Sequence, residues 1–248
     1  IDGNSCTNID TVIISVIAPT ISEAGPDQEI CLNEPSVQLS GTSIGGIWSG
    51  STLVSSTGEF TPSQSGVYKL YYSTGSGTCL SIDSMTFRVN ALPDLTLTGS
   101  SSICIYDSII IGVSGANVYS WSPLDSLYEY KNDSVIVFPS ETTTYQVLGT
   151  DNTTGCSDSV TTTITVNPLP TIIQTEDVEL CNQPIDYQIV SQTPNGSWSG
   201  SGISSDGTYT PGGVGDFEVY YTVIDGNSCT NIDTVIISVI APTISEAG

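Results

Sequence analysis

The sequence predicts an all-β protein: a tandem array of small two-sheet sandwiches, each holding one disulfide. Three observations predict it. The 248-residue chain is rich in Ser, Thr, Gly, Val, Ile and Tyr and poor in strong helix formers, a balance that favours strands and turns. Residues 1–25, IDGNSCTNIDTVIISVIAPTISEAG, recur unchanged at 224–248, an offset of 223. Chance does not produce such an identity, so the sequence carries one full period of a tandem array and the start of the next. The seven cysteines form the third observation, because they keep a shorter period inside the long one.

An early series, Cys31, Cys104 and Cys181, advances in steps of 73 and then 77. A late series, Cys6, Cys79, Cys156 and Cys229, advances in steps of 73, 77 and 73. Each domain then has one early and one late cysteine. The expected bridges are Cys31–Cys79, Cys104–Cys156 and Cys181–Cys229, with Cys6 paired upstream. The expected layout is the last strand of a preceding sandwich at 1–17, domains at 18–91, 92–168 and 169–241, and the start of the next repeat at 242–248. A domain of this size has a marginal core, so closing a loop of about 50 residues would stabilise it by roughly 4 kcal/mol.

Strands follow from alternation. Val12, Ile14 and Val16 face one way; so do Met85, Phe87 and Val89, and Val160, Ile164 and Val166. A strand before each late cysteine carries Tyr68, Leu70 and Tyr72, or Tyr145 and Val147, or Phe217, Val219 and Tyr221. Turn-rich TGSGTC, DNTTGC and DGNSC join the two strands into a terminal hairpin. Trp48, Trp121 and Trp198 follow Cys31, Cys104 and Cys181 at one constant spacing. A buried Trp strand and a preceding strand such as SVQLSG (36–41) complete about seven short strands, an immunoglobulin-like count. Both cysteines are expected at one pole, the bridge pinning the first segment to the last hairpin. Prolines in APTISEAGPDQ (18–28), NALPDLT (90–96) and NPLPTII (167–173) make the junctions stiffer than Gly/Ser tethers.

Charge narrows the partners. Twenty-six acidic residues face three basic ones, Lys69, Arg88 and Lys131, for a net charge of −23. That field repels nucleic acid and anionic membranes. No apolar run is long enough to span a bilayer, and no basic and apolar leader opens the chain, which reads as an internal fragment. Paired cysteines imply an oxidising compartment, hence an extracellular, cell-surface location.

The segment YSWSP…PSETTTYQVLGTDNTTGCSDSVTTTITVNPLPT (119–171) resembles the Ig-like and PKD-like repeats of giant surface proteins of the Bacteroidota. GGIWSGS…GEFTPSQSGVYKLYYSTGSGTC (45–79) and AGPDQEICLNEPSVQLSG (24–41) are similar to sister repeats of those proteins. That family includes the very large mobile adhesins of gliding motility. The resemblance implies type IX export and display as long surface filaments. Its implied partners are neighbouring repeats of the same chain or filament and an extracellular surface or polysaccharide.

Candidate sites are few. There is no His and no visible base for the many hydroxyls, so no catalytic residue is assigned. DGNSCTNID gathers Asp2, Asn4, Asn8 and Asp10, an oxygen-rich set of the kind Ca²⁺ takes. Its spacing is not that of an EF-hand, and turn chemistry of Asp-Gly and Asn is the preferred reading; no metal site is assigned. Tyr71 and Tyr220 on the outward face of their strand, and Tyr128 and Tyr130 in a loop of the middle domain, are exposed aromatics, read as packing against a neighbouring domain rather than as a sugar platform. The family resemblance also implies O-linked glycans at Asp-Ser/Thr followed by a small or aliphatic residue. Seven such places occur, at Thr11, Ser84, Ser108, Ser126, Ser134, Ser159 and Thr234, where composition alone would give about two. Four of them open the last strand of a domain, where Asp10, Asp83, Asp158 and Asp233 read as solvated turn residues. The competing readings are an array of carbohydrate-binding modules and the spacer of a large secreted enzyme.

Overall fold

The computed structural model describes residues 9–242 apart from 17 and 19. It is all-β, and its described residues form two compact units. One comprises residues up to Asp94 with Thr150–Asp158; the other comprises Leu95–Gly149 and residues from Ser159 onward.

In the first sandwich, strands β1 (Gln28–Cys31), β2 (Val37–Gln38), β3 (Ile47–Ser49), β4 (Glu59–Phe60), β5 (Gly66–Thr74) and β6 (Ser81–Asn90) follow in order. One sheet runs β1-β6-β5-β3, and β2 pairs β4 opposite it. The β5–β6 hairpin is antiparallel, while β1 lies parallel to β6. Alternation places Leu70, Tyr72, Met85, Phe87 and Val89 on the inner face, where they meet Leu39, Trp48 and Phe60 in one core.

The second sandwich is the fullest. It contains β7 (Thr96–Thr98), β8 (Ser102–Cys104), β9 (Ile109–Ser114), β10 (Val118–Ser122), β11 (Leu127–Lys131), β12 (Ser134–Val137), β13 (Thr143–Thr150) and β14 (Ser157–Asn167). Its sheets are β8-β14-β13-β10 and β11-β12-β9-β7. This is a two-sheet immunoglobulin-like arrangement, with a terminal hairpin and the Trp strand in one sheet. The β-branched runs IIIGVS and SVIV build a complete second sheet here, which the short β2 and β4 do not in the first sandwich.

The third sandwich repeats the first, with β15 (Val178–Cys181), β16 (Tyr187–Gln188), β17 (Ser197–Gly200), β18 (Thr208–Tyr209), β19 (Gly215–Ile224) and β20 (Thr230–Ile240) in sheets β15-β20-β19-β17 and β16-β18. The shared motifs GGIWSGS and NGSWSGS have a packing reason. A Cβ on Gly46 or Gly196 would stand 2.2 or 2.3 Å from the ring of Tyr72 or Tyr221, so only glycine lets the backbone pass over the ring. Each tyrosine then stacks beside its Trp, with ring centroids 5.0 Å apart for Trp48–Tyr72 and 4.9 Å for Trp198–Tyr221. The Tyr221 hydroxyl donates to the Thr193 carbonyl at 2.5 Å and accepts from the Gly196 N–H at 2.9 Å. Tyr72 makes the same pair of bonds with Ser43 and Gly46.

Residues 9–16 duplicate 232–239 in sequence but not in structure. Val235, Ile237 and Val239 are at most 2 % exposed inside β20, whereas Val12, Ile14 and Val16 are 78 %, 82 % and 92 % exposed and form no strand. Strand β20 has β19 on one side and β15 on the other. An apolar strand without such partners has nowhere to bury its face.

Candidate functional site

Each early cysteine ends the strand that runs parallel to the last strand of its own sandwich. Cys31 lies opposite Asn90, Cys104 opposite Asn167, and Cys181 opposite Ile240. The following amide fixes that placement: Leu32 N–H donates to Asn90 O at 3.0 Å, Ile105 to Asn167 at 2.8 Å, and Asn182 to Ile240 at 2.8 Å. Each late cysteine lies in the turn that precedes the same last strand. The two cysteines of one sandwich are therefore separated by the whole of that strand, ten residues in β6 and eleven in β14 and β20. At about 3.3 Å per residue that is more than ~30 Å, and a disulfide needs Cα atoms within about 7 Å.

The pairing expected from the sequence is thereby corrected. Cys31 does not bond Cys79, Cys104 does not bond Cys156, and Cys181 does not bond Cys229. Instead Cys31 bonds Cys156 and Cys104 bonds Cys229, each with Cα atoms 5.5 Å apart and a sequence separation of 125. Both bridges run from the early cysteine of one repeat to the late cysteine of the next. The single-pole placement of both cysteines was the error. Cys79 and Cys181 are exposed free thiols; Cys6 lies outside the described residues.

The bridged turns are built to present sulfur. In DNTTGC, Asp151 Oδ1 accepts the N–H groups of Thr153 and Thr154 at 2.7 and 3.3 Å. Those bonds, first the Thr153 N–H and then that of Thr154, lower the Asp151 pKa below the ordinary carboxylate value. In DGNSC, Asp225 Oδ1 accepts from Asn227 at 2.8 Å and from Cys229 itself at 2.9 Å. Both late cysteines in bridges are fully buried. Beside the first bridge Asn33 Nδ2 donates to the Ser157 carbonyl at 3.3 Å. The turn at Cys79 has Gly75 where Asp225 stands and closes instead as a short 3₁₀ turn over Gly77–Cys79.

The oxygen-rich loop is described in its second copy; Asp2, Asn4 and Asn8 lie outside the described residues. There Asn231 Nδ2 donates to the Pro170 carbonyl at 2.9 Å, and Asp233 Oδ2 accepts the Thr175 N–H at 2.7 Å. With Asp225 closing the turn, the oxygens serve backbone amides. Among the described residues no group of three His, Cys, Asp or Glu side chains is placed to hold a metal ion.

The hydroxyls expected to carry sugar differ in access. Thr11, Ser108, Ser159 and Thr234 are exposed, while Ser84, Ser126 and Ser134 are half-buried. Ser84 faces Tyr71 across the hairpin, and Thr234 faces Tyr220. Ser159 Oγ accepts from Gln146 Nε2 at 3.1 Å. Tyr71 and Tyr220 are partly exposed, the first with Lys69 Nζ 5.7 Å from its ring centroid. Tyr128 and Tyr130 belong to strand β11 rather than to a loop, and Tyr128 is exposed; the Tyr130 side chain lies outside the described residues.

The acidic residues before these hydroxyls are not all solvated turns. Asp233 is buried. Asp83 Oδ2 accepts the Ala24 N–H at 2.8 Å, and that bond, then the Ser84 N–H, holds its carboxyl below the usual range. Two further carboxylates, overlooked in the sequence, complete the tie: Asp27 Oδ1 accepts the Thr86 N–H at 2.7 Å, and Asp177 Oδ1 that of Ile236 at 2.8 Å. In the first and third sandwiches the lead-in segment and the last strand are thus tied reciprocally by charge-assisted bonds.

The fold and junctions define a class: tandem all-β sandwiches joined by disulfides from one repeat to the next. No family model matches the chain, and no curated protein matches it. Among solved structures, the chain is similar to the I-band fragment I67–I69 of titin, at 15 % identity over 92 % of this chain and 100 % of that one, with a TM-score of 0.39. It is also similar to Drosophila OTK extracellular domains 3–5 (11 % identity, 90 % and 98 % covered, TM-score 0.29) and to Drosophila N-cadherin EC1–4 (11 %, 86 % and 72 %, 0.29). At these scores no property of those proteins transfers to this chain.

Proposed function

We propose that the chain is a structural, adhesive repeat segment of a long bacterial surface filament, displayed outside the cell and without catalytic activity. The observation that supports this reading is the covalent linkage of successive repeats. The bridges Cys31–Cys156 and Cys104–Cys229 overlap in sequence, so they interlock. A chain pulled from its ends and fully unfolded would run from residue 1 to Cys31, cross to Cys156, return to Cys104, cross to Cys229 and leave. Only about 100 residues then bear the extension, about 350 Å at roughly 3.5 Å per residue, against about 860 Å for the reduced chain. A tether benefits from that limit; an enzyme spacer does not need it. Gliding motility is the specific use that the family resemblance suggests, and exposed O-glycans would cover strand edges against pairing between filaments.

Single-molecule stretching with and without reductant tests the mechanical reading. An oxidised contour close to the shorter of those two lengths, more than doubled on reduction, supports it. Equal contours in both states would reject it.

A further inference from the structure

Among the described residues two cysteines are left over, and they are complementary. Cys181 occupies the same place as the bonded Cys31 and Cys104: the end of a parallel strand, opposite the last residue of the final strand, with the next amide bonded to that residue. Cys79 occupies the same place as the bonded Cys156 and Cys229, in the turn before a final strand. Cys79 is the late cysteine of the first sandwich and Cys181 the early cysteine of the third, so neither has a partner of the right kind among the described residues. One is an early cysteine with no later sandwich in the described chain; the other is a late cysteine with no earlier one.

We infer that Cys181 bonds the copy of Cys79 in the next period, so that every junction of the array carries the same bridge. With the offset of 223, that copy lies 121 positions beyond Cys181, against 125 for each bridge seen. The difference of four has a source. A bridge spans one step between early cysteines plus one early-to-late interval within a sandwich. The steps are 73 or 77, and the intervals are 48 in the first and third sandwiches and 52 in the second. Both bridges in the structure combine one short term with one long one, whereas the inferred bridge combines the two short ones. A second, separate observation points to the same continuation. Residues 9–16 expose the apolar face that their copy buries in β20, a face that the last sandwich of another period would cover. The partner is therefore a further copy of this repeat, not a small thiol.

The bond forms by two thiol–disulfide exchanges with a small disulfide oxidant such as oxidised glutathione. The Cys79 thiolate attacks one glutathione sulfur and expels a glutathione thiolate, giving a mixed disulfide. The Cys181 thiolate of the preceding period then attacks the Cys79 sulfur and expels the second glutathione thiolate. Two protein thiols are oxidised, one oxidised glutathione is reduced to two thiols, and the protons pass to the departing thiolates. This inference rests on the tandem reading above, though not on the mechanical role.

The test is a two-period chain in which residues 26–248 follow Gly248, carrying Cys6→Ser in the first period, refolded with oxidised and reduced glutathione. Non-reducing peptide mapping should recover a peptide joining the first period's Cys181 to the second period's copy of Cys79. Alkylation should find two free thiols, the first period's Cys79 and the second period's copy of Cys181. Cys181→Ser in the first period should free the second period's copy of Cys79 and leave the other bridges in place. Four free thiols, with the Cys31–Cys156 and Cys104–Cys229 bridges present in both periods, would overturn the inference and leave the array reading standing. Any other partner for Cys181 would overturn it too. A correctly bridged chain that shows no shortened contour would instead count against the mechanical role.

Discussion

A disulfide inside one sandwich stabilises that sandwich alone, whereas a bridge across a junction stabilises both neighbours. Replacing Cys104 and Cys229 by Ser separates the two cases. When the third sandwich alone unfolds, Cys104 stays beside Asn167 in the folded second sandwich. The bridge then closes the stretch from Asn167 to Cys229, 62 positions. When the second sandwich alone unfolds, Cys229 stays near Pro170, which Asn231 holds. The closed stretch is then Cys104 to Pro170, 66 positions. For loops of this length the chain-entropy relation gives about 14 cal/mol/K, or about 4 kcal/mol at 25 °C. The double variant should therefore lose about 4 kcal/mol in each of the two sandwiches, close to a thousandfold in the opening equilibrium. At about 4–8 °C per kcal/mol for domains of this size, their Tm should fall by roughly 15–30 °C. Hydrogen exchange resolved by peptide reads each sandwich separately: β19–β20 and β13–β14 should lose protection while β5–β6 keeps it. A loss below about 1 kcal/mol in the third sandwich, far short of the loop-closure value, or a loss confined to one sandwich, would refute the reasoning.

Three other outcomes follow from the packing. Tyr221→Phe keeps the ring beside Trp198 but strands the Thr193 carbonyl and the Gly196 N–H, so the third sandwich should lose about 1–3 kcal/mol in urea denaturation; no loss would show that water replaces the hydroxyl. Asp83 has its pKa lowered by the Ala24 and Ser84 amides, so its contribution is complete above the ordinary carboxylate pKa of about 4 and is lost as pH falls through the lower folded value. Asp83→Asn should therefore lower the urea midpoint of the first sandwich at pH 7, with the gap to the parent closing below about pH 4; a gap independent of pH would exclude the charge. Intact mass of the native protein should exceed that of the bare polypeptide, with sugar first on the exposed Thr11, Ser108, Ser159 and Thr234; a bare mass would remove the glycan proposal.

How far the sequence discloses this structure depends on which relation is asked of it. Face alternation is local, and it placed Leu70, Met85, Phe87, Val147, Ile164 and Val219 correctly in the cores. The same alternation that turns Ser84 outward turns Asp83 inward with Met85. The carboxylate's inward direction was thus legible, although its partner, the distant Ala24 amide, was not. Cysteine pairing failed for a different reason. Spacing shows that each repeat owns one early and one late cysteine, yet it carries no sign of which pole each occupies. That sign comes from the parallel pairing of β1 with β6, which sets Cys31 at the far end of the strand from Cys79. Parallel neighbours are joined by long connections and leave no short-range mark.

The duplicated segment shows what an alternating pattern does and does not specify. The eight residues at 232–239 and their copies at 9–16 have the same propensities, the same faces and the same charges. One copy is the centre of a sheet and the other forms no strand among the described residues. Intrinsic preference is equal in the two, so the difference belongs to the partners: β19 and β15 supply ladder bonds on both sides of β20, and Trp198, Tyr209 and Tyr221 supply the core that its inner face enters. An apolar face on a single strand is therefore a requirement for a particular neighbour, not a property that folds by itself. The exposed thiols of Cys79 in the first sandwich and Cys181 in the third state the same requirement in covalent terms.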